Sequence, residues 1–156
     1  MYALRQWSVR NSRKLEWLYQ CFEGILLALH PFWLWIGYAR IEKPVRAVER
    51  TVKSVMFDCR MCGSCVLSET GMSCPMNCPK ELRNGPCGGV RSDGFCEVEL
   101  QMRCVWVDAW EGSQRMRDQT RIAQVQPPLA QGQRGSSSWL REVRKKRDLR
   151  FFQQDA

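Results

Sequence analysis

Eight cysteines within one 46-residue stretch constrain this chain more than any other feature. They run C-x2-C-x2-C-x8-C-x3-C-x8-C-x8-C-x7-C, as Cys59, Cys62, Cys65, Cys74, Cys78, Cys87, Cys96 and Cys104. The same stretch holds Gly63, Gly71, Gly85, Gly88, Gly89 and Gly94 and little apolar material, so it has scant core of its own to fold around. Thiols at this density need a positive centre to gather on, or oxidation to disulfides.

The start of the chain bears on that choice. Met1 to Lys14 is basic, but the apolar run from Ile25 to Ala39 begins late, follows Glu16 and Glu23, contains Pro31 and lacks a small-residue cleavage pattern, so it does not read as a secretory signal. It is also shorter than the roughly 18 residues of a membrane span, and no transmembrane segment is expected. A cytoplasmic location follows, where clustered cysteines bind metal more often than they pair as disulfides. The 156 residues suit one modest domain and leave no room for a (β/α)8 barrel of about 250 residues. The net charge of +8 lies on the flanks: nine Lys/Arg against five Asp/Glu in residues 1–58, ten against six in 105–156, and five against five between. Metal-bound thiolates would make that middle anionic, so the basic flanks offset it without requiring nucleic acid as a partner.

Residues 12–30 carry the clearest periodicity. Leu15, Leu18, Tyr19, Phe22, Ile25, Leu26 and Leu29 predict an amphipathic helix, with Ser12 as its N-cap and Pro31 as its stop. Cys21, at the edge of that stripe, reads as a small buried hydrophobe rather than a ninth ligand, and His30 as a helix-end residue rather than a metal ligand. The run Phe32-Trp33-Leu34-Trp35-Ile36-Gly37-Tyr38 is apolar on every face, so it is either buried or covered from outside the chain. A further helix is expected to start with Pro44 near its first turn and to present Val45, Val48, Val52, Val55 and Met56 on one face, with Arg46, Arg50 and Lys53 on a solvated one. It runs straight into Cys59.

The spacing of the cysteines narrows the metal. Structural zinc sites join paired C-x2-C units, four ligands to an ion. Here only the first unit has that spacing and it is a triple, which suits three corners of a cubane, as in the C-x2-C-x2-C-x3-C-P run of bacterial ferredoxins. Cys74-Pro75 and Cys78-Pro79 echo the proline-followed ligand of that run, and the glycines beside Cys87 let backbone N–H groups approach sulfur. Eight thiolates suit two [4Fe-4S] clusters, with zinc as the alternative; how the later cysteines divide between centres is open. Ser92-Asp93-Gly94 predicts the turn of a short hairpin near Val90 to Val98.

Cys59-Arg-Met-Cys62-Gly-Ser-Cys65, Cys74-Pro-Met-Asn-Cys78-Pro-Lys-Glu-Leu-Arg-Asn-Gly-Pro-Cys87-Gly-Gly, Gly94-Phe-Cys96-Glu-Val and Cys104-Val-Trp resemble the methylenetetrahydrofolate reductase C-terminal domain family, over about residues 12–110 and most strongly over 56–106. Glu42-Lys43-Pro44 and the approach from Lys53 to Phe57 look similar too. Members include the small iron-sulfur subunit that accompanies a flavin subunit, and small zinc proteins. The resemblance implies a partner role: an accessory subunit, not catalytic alone, that relays electrons through clusters bound by the eight cysteines to a flavin held only on the methylenetetrahydrofolate reductase subunit, with a redox carrier protein as a further partner. Lys80, Arg83 and Asn84 either hydrogen-bond near a cluster or cap a turn.

Beyond Val105, Trp106, Val107 and Trp110 the composition turns polar, and residues 124–138 read as linker. Ser136 to Ser138 can cap a helix carrying Trp139, Leu140, Val143, Phe151 and Phe152 among Arg141, Arg144, Lys145, Lys146, Arg147 and Arg150. Docking on a partner is favoured for it over folding back on its own domain or contacting nucleic acid or a membrane. The expected architecture is an α-rich small domain: a helical bracket (1–58) packing on an irregular, metal-cluster-held cysteine-rich segment (59–110), then an extended linker (111–138) and a basic amphipathic arm (139–156). The competing function is a zinc-stabilised scaffold for a partner protein or nucleic acid.

Overall fold

A computed structural model describes residues 2–154, with side chains described as far as Asp148. Among the described residues there are six α-helices and no β-strand: α1 (Tyr2–Arg10), α2 (Ser12–Ala28), α3 (His30–Ile36), α4 (Tyr38–Phe57), α5 (Val105–Ser113) and α6 (Ser138–Gln154). No described helix is long and apolar enough to cross a membrane. The chain is α-rich, as its periodicities predict, and the cysteine-rich stretch between α4 and α5 is irregular apart from a single 3-10 turn at Pro75–Asn77. The hairpin expected near residue 94 is reduced to two isolated antiparallel bridges, Val90 with Cys96 and Phe95 with Arg103, around a turn in which Asp93 Oδ1 accepts from the Phe95 N–H at 3.0 Å.

α1 packs on α4 and α5, and α2 packs on α5 and α6, so the helices enclose the irregular stretch. The main core lies where they meet it: Leu15 of α2 and Phe57 of α4 bury against Leu67, Met72, Met76 and Met116 together with Cys62 and Cys74. Most of this core, Cys62, Leu67, Met72, Cys74 and Met76, comes from the cysteine-rich stretch itself and closes against Leu15 and Phe57 of the helices, so the expectation that the stretch has scant core of its own is corrected.

Several local expectations are corrected. Ser12 does not cap α2; Asn11 holds the N-cap position and Ser12 is buried, its Oγ donating to the Gly112 carbonyl at 2.8 Å and tying α2 to α5. Pro31 does not stop a long helix but sits in the first turn of α3, where its missing N–H costs nothing. His30 pairs its Nδ1 with the Tyr38 hydroxyl at 2.7 Å. Gly37, at φ +93°, breaks the chain between α3 and α4, so α4 begins at Tyr38 and Pro44 lies inside it. Cys21 is exposed rather than buried. α3 contains no buried residue, and Trp35 is 81% exposed, so the aromatic run is not buried by this chain.

The largest correction concerns the faces of α4. Val48, Val52 and Val55 are exposed, and the buried residues are Ile41, Glu49, Lys53 and Phe57. Lys53, assigned to a solvated face, is 1% exposed. Four-residue spacing puts these four on one stripe with Val45, and that stripe faces inward because Glu49 and Lys53 find buried partners there. α6 also settles on its own chain: Trp139, Leu140 and Val143 are buried, Phe22 and Trp139 meet edge to face with ring centroids 4.6 Å apart, and Arg147 donates to the Leu27 carbonyl at 2.7 Å. Arg150, Phe151 and Phe152 lie outside the residues whose side chains are described.

Candidate metal centre

α4 delivers the first cysteine loop. Its C-cap, Asp58, adopts the left-handed conformation at φ 52° and turns the chain sharply into Cys59. Met61 is left-handed as well, at φ 49°, a conformation that costs a non-glycine residue of order 1–2 kcal/mol. It aims the Met61 N–H at Cys59 Sγ, 3.4 Å away. Gly63 follows at φ +75°, and a Cβ there would collide with the Gln133 carbonyl, so the segment before α6 lies directly across the Cys62–Cys65 loop. Gly135 N–H donates to the Met61 carbonyl at 2.7 Å, and Arg141 Nη1 reaches the Gly63 carbonyl at 3.1 Å.

Cys74 arrives from the other side. Its approach is fixed to α5 by the Ser73 hydroxyl, which donates to the Val105 carbonyl at 3.1 Å, and by Gly71, whose backbone is pressed against that of Gly112 too closely for any side chain. As a result Cys59, Cys62, Cys65 and Cys74 line one small cavity, together with Glu49, Lys53, Arg83 and Ser138. Cys78, Cys87, Cys96 and Cys104 are not among its lining residues. They occupy the loop beyond: the Cys96 N–H donates to the Met102 carbonyl at 2.9 Å, the Cys104 N–H to the Gly94 carbonyl at 3.0 Å, and the Lys80 ammonium pairs with Glu97. Among the described residues no group of three or more His, Cys, Asp or Glu side chains stands closely enough to hold a single ion.

Charge around the cavity is ordered. Lys53 Nζ donates to Glu49 Oε1 and to Ser138 Oγ, both at 2.8 Å, and sits 5.2 Å from the centroid of the Trp139 ring. Burial opposes its charge, but Cys65, Tyr19 and Glu49 outweigh burial and raise its pKa. For Glu49 burial is likewise overcome, by Lys53 and the Ser137 and Ser138 hydroxyls, and its pKa is lowered. The Tyr19 hydroxyl donates to Cys65 Sγ at 3.8 Å. Arg83 donates to the Ser64 and Pro127 carbonyls, while its Nη1 is buried without a partner among the described residues.

Burial pushes the Cys59 thiol up to about 11, against the opposing pull of the Met61 N–H and Lys53, and pushes Cys74 up further with Cys59 adding to the effect. Without a bound cation these thiols stay protonated at neutral pH, so any metal they took up would have to displace their protons. Four sulfur donors beside a buried, unpartnered guanidinium nitrogen fit an anionic, thiolate-bound centre. Glu49, Lys53 and Tyr19 escaped the sequence reading, although the four-residue ladder Ile41, Val45, Glu49, Lys53, Phe57 and the i,i+4 sign pairing were legible in it. Of the three residues left open there, Arg83 reaches the cavity, Lys80 pairs with Glu97, and Asn84 makes two hydrogen bonds to the backbone of Gln126 at 2.9 and 2.7 Å.

The architecture defines a class: small helical proteins in which flanking helices clamp a cysteine-rich loop. The chain belongs to the family described as Methylene-tetrahydrofolate reductase C terminal, whose model matches residues 38–131. The match starts at α4, later than the resemblance at residue 12, and runs past Cys104 through α5 into the segment that crosses the Cys62–Cys65 loop. No curated protein and no solved structure matches the chain.

Proposed function

We propose that this chain is an iron-sulfur electron-transfer subunit that passes electrons to the flavin of a methylenetetrahydrofolate reductase catalytic subunit in the cytoplasm. The observation that carries this reading is the convergence of Cys59, Cys62, Cys65 and Cys74 on one cavity whose wall also holds a buried guanidinium. Three thiolates at three-residue intervals suit a cubane's corners, with Cys74 as the fourth, and Cys78, Cys87, Cys96 and Cys104 are assigned to a second [4Fe-4S] cluster. Bound there, such clusters supply one-electron storage. The chain's own contribution is to hold them and to direct the Met61 N–H and Tyr19 O–H at the ligand sulfurs, donors of the kind that set reduction potential. The segment before α6 lies across the Cys62–Cys65 loop, and Ser136 and Ser138 line the cavity beside it. Flavin and folate belong to the partner subunit, so the isolated chain reduces no folate.

Anaerobic purification tests this directly. The expected product is brown and contains about eight iron and eight acid-labile sulfide per chain, four of each to a cluster. Colourless protein holding about two zinc ions and no sulfide would refute the electron-transfer role and leave the scaffold reading in its place.

A further inference from the structure

We infer that Arg83 is the counter-charge of the thiolate-bound centre at Cys59, Cys62, Cys65 and Cys74, and that it governs how firmly that centre is held and how readily it accepts an electron. The electron half rests on the proposed iron-sulfur reading; the holding half applies to any metal on those thiolates. Arg83 is 9% exposed and lines the cavity. Its Nε donates to the Pro127 carbonyl at 2.9 Å and its Nη2 to the Ser64 carbonyl at 3.0 Å, which pins the guanidinium to the middle of the Cys62–Cys65 step. Nη1 is left buried and, among the described residues, unpartnered.

Both satisfied donors therefore end on neutral carbonyls, and neither supplies a negative charge. Lys53 differs, because Glu49 faces it at 2.8 Å and the two cancel. Of the charged residues on the cavity wall, Arg83 alone makes no ion pair among the described residues; Glu69, outside the cavity, feels its charge without pairing with it. A buried cation in that position is costly unless a negative group comes within reach. Four thiolates outweigh the charge of a divalent ion or of a cluster core, so a centre bound by them is anionic and supplies that group. The reduced form is more negative than the oxidised one, so a nearby positive charge stabilises it more and favours electron uptake. Arg83 also lies between Cys78 and Cys87, which makes it a link from the first cavity to the loop of the second cysteine set.

Arg83→Met and Arg83→Lys variants of the full chain, prepared without oxygen, test the inference by redox titration followed by electron paramagnetic resonance and by competition with a metal chelator. In Arg83→Met, one of the two centres should show a reduced-to-oxidised ratio at fixed ambient potential at least tenfold lower, which is 59 mV for one electron. The chelator should strip that centre at least tenfold faster and leave the other unchanged. Arg83→Lys keeps the charge and should recover most of both effects. A merely structural role, through Pro127 and Ser64, would impair Lys and Met alike and disturb both centres; that result overturns the inference, as do wild-type values in Arg83→Met. If the wild-type chain holds zinc, the electron-transfer reading fails, and the chelator arm still decides: selective stripping rescued by Lys upholds the role of Arg83, and unchanged stripping refutes it.

Discussion

Replacing Glu49 by alanine removes, in one step, the acceptor of five donors: Lys53 Nζ, Ser137 Oγ, Ser138 Oγ, and the backbone N–H groups of Ser138 and Trp139. The side chains of Lys53 and Glu49 are 2% and 1% exposed, so solvent cannot take over from the lost carboxylate. Breaking a buried pair from one side costs about 3–5 kcal/mol, because the remaining charge is stranded. The first turn of α6 loses an acceptor as well, worth about 1 kcal/mol. The sum, about 4–6 kcal/mol, is a large part of the 5–15 kcal/mol that holds a domain of this kind together. Chemical denaturation followed by circular dichroism, with wild type and variants side by side, measures it. Glu49→Leu combined with Lys53→Met should recover at least about 2 kcal/mol relative to Glu49→Ala, since a hydrophobic pair replaces a buried ion pair at little or no loss. A Glu49→Ala variant within about 0.5 kcal/mol of wild type, the range of ordinary surface changes, would refute the reasoning, and so would a double variant no more stable than the single one.

Glu49 also sets a pH dependence. Its pKa is lowered from the ordinary 4.5, so its contribution is complete above that value and is lost as pH falls through the folded-state pKa; the protection of amides at the start of α6 against hydrogen exchange, corrected for the intrinsic rate, should fall as pH drops below 4.5 in wild type and stay flatter in Glu49→Gln. Cys62→Ser should lose about half the bound metal, whereas Cys21→Ala, altering an exposed thiol outside the cavity, should lose none; metal analysis of the two proteins decides both points. Gly63→Ala should destabilise by more than about 1 kcal/mol, because its φ is +75° and its Cβ would strike the Gln133 carbonyl, while Gly132→Ala, with open space around it, should unfold with wild type in the same denaturant series.

Helices were legible where apolar spacing was unambiguous, and the eight cysteines announced themselves. The faces of α4 were not read correctly, because apolar periodicity marks valines and the buried stripe runs through Glu49 and Lys53 instead. A pattern of apolar residues cannot register a charged pair that becomes buried only when α6, almost ninety residues away, brings Ser137 and Ser138 to it. The same blindness applied to α6. Read alone, it was a basic helix with an aromatic stripe and nothing to pack on; in the fold its first turns are the lid over Lys53 and its Arg141 holds the Gly63 carbonyl.

The division of the cysteines has a physical reason of the same kind. Cys59, Cys62 and Cys65 share a local loop, so their proximity follows from spacing. Cys74 joins them only because Ser73 and Gly71 anchor its approach to α5, and α5 is in turn held to α2 through the Ser12 hydroxyl and the Gly112 carbonyl. The place of Cys74, the proposed fourth ligand, is therefore a product of the helical frame, and any change that loosens α2 from α5 should loosen Cys74 before it disturbs the triple. Ser12→Ala, which deletes that hydroxyl and adds no bulk at a fully buried position, isolates this step. Trapping by an alkylating agent during chelator challenge, followed by mass spectrometry, should find Cys74 modified ahead of Cys59, Cys62 and Cys65. Simultaneous modification of all four would mean that the loop forms one unit and that the contact between α2 and α5 does not set the ligand geometry.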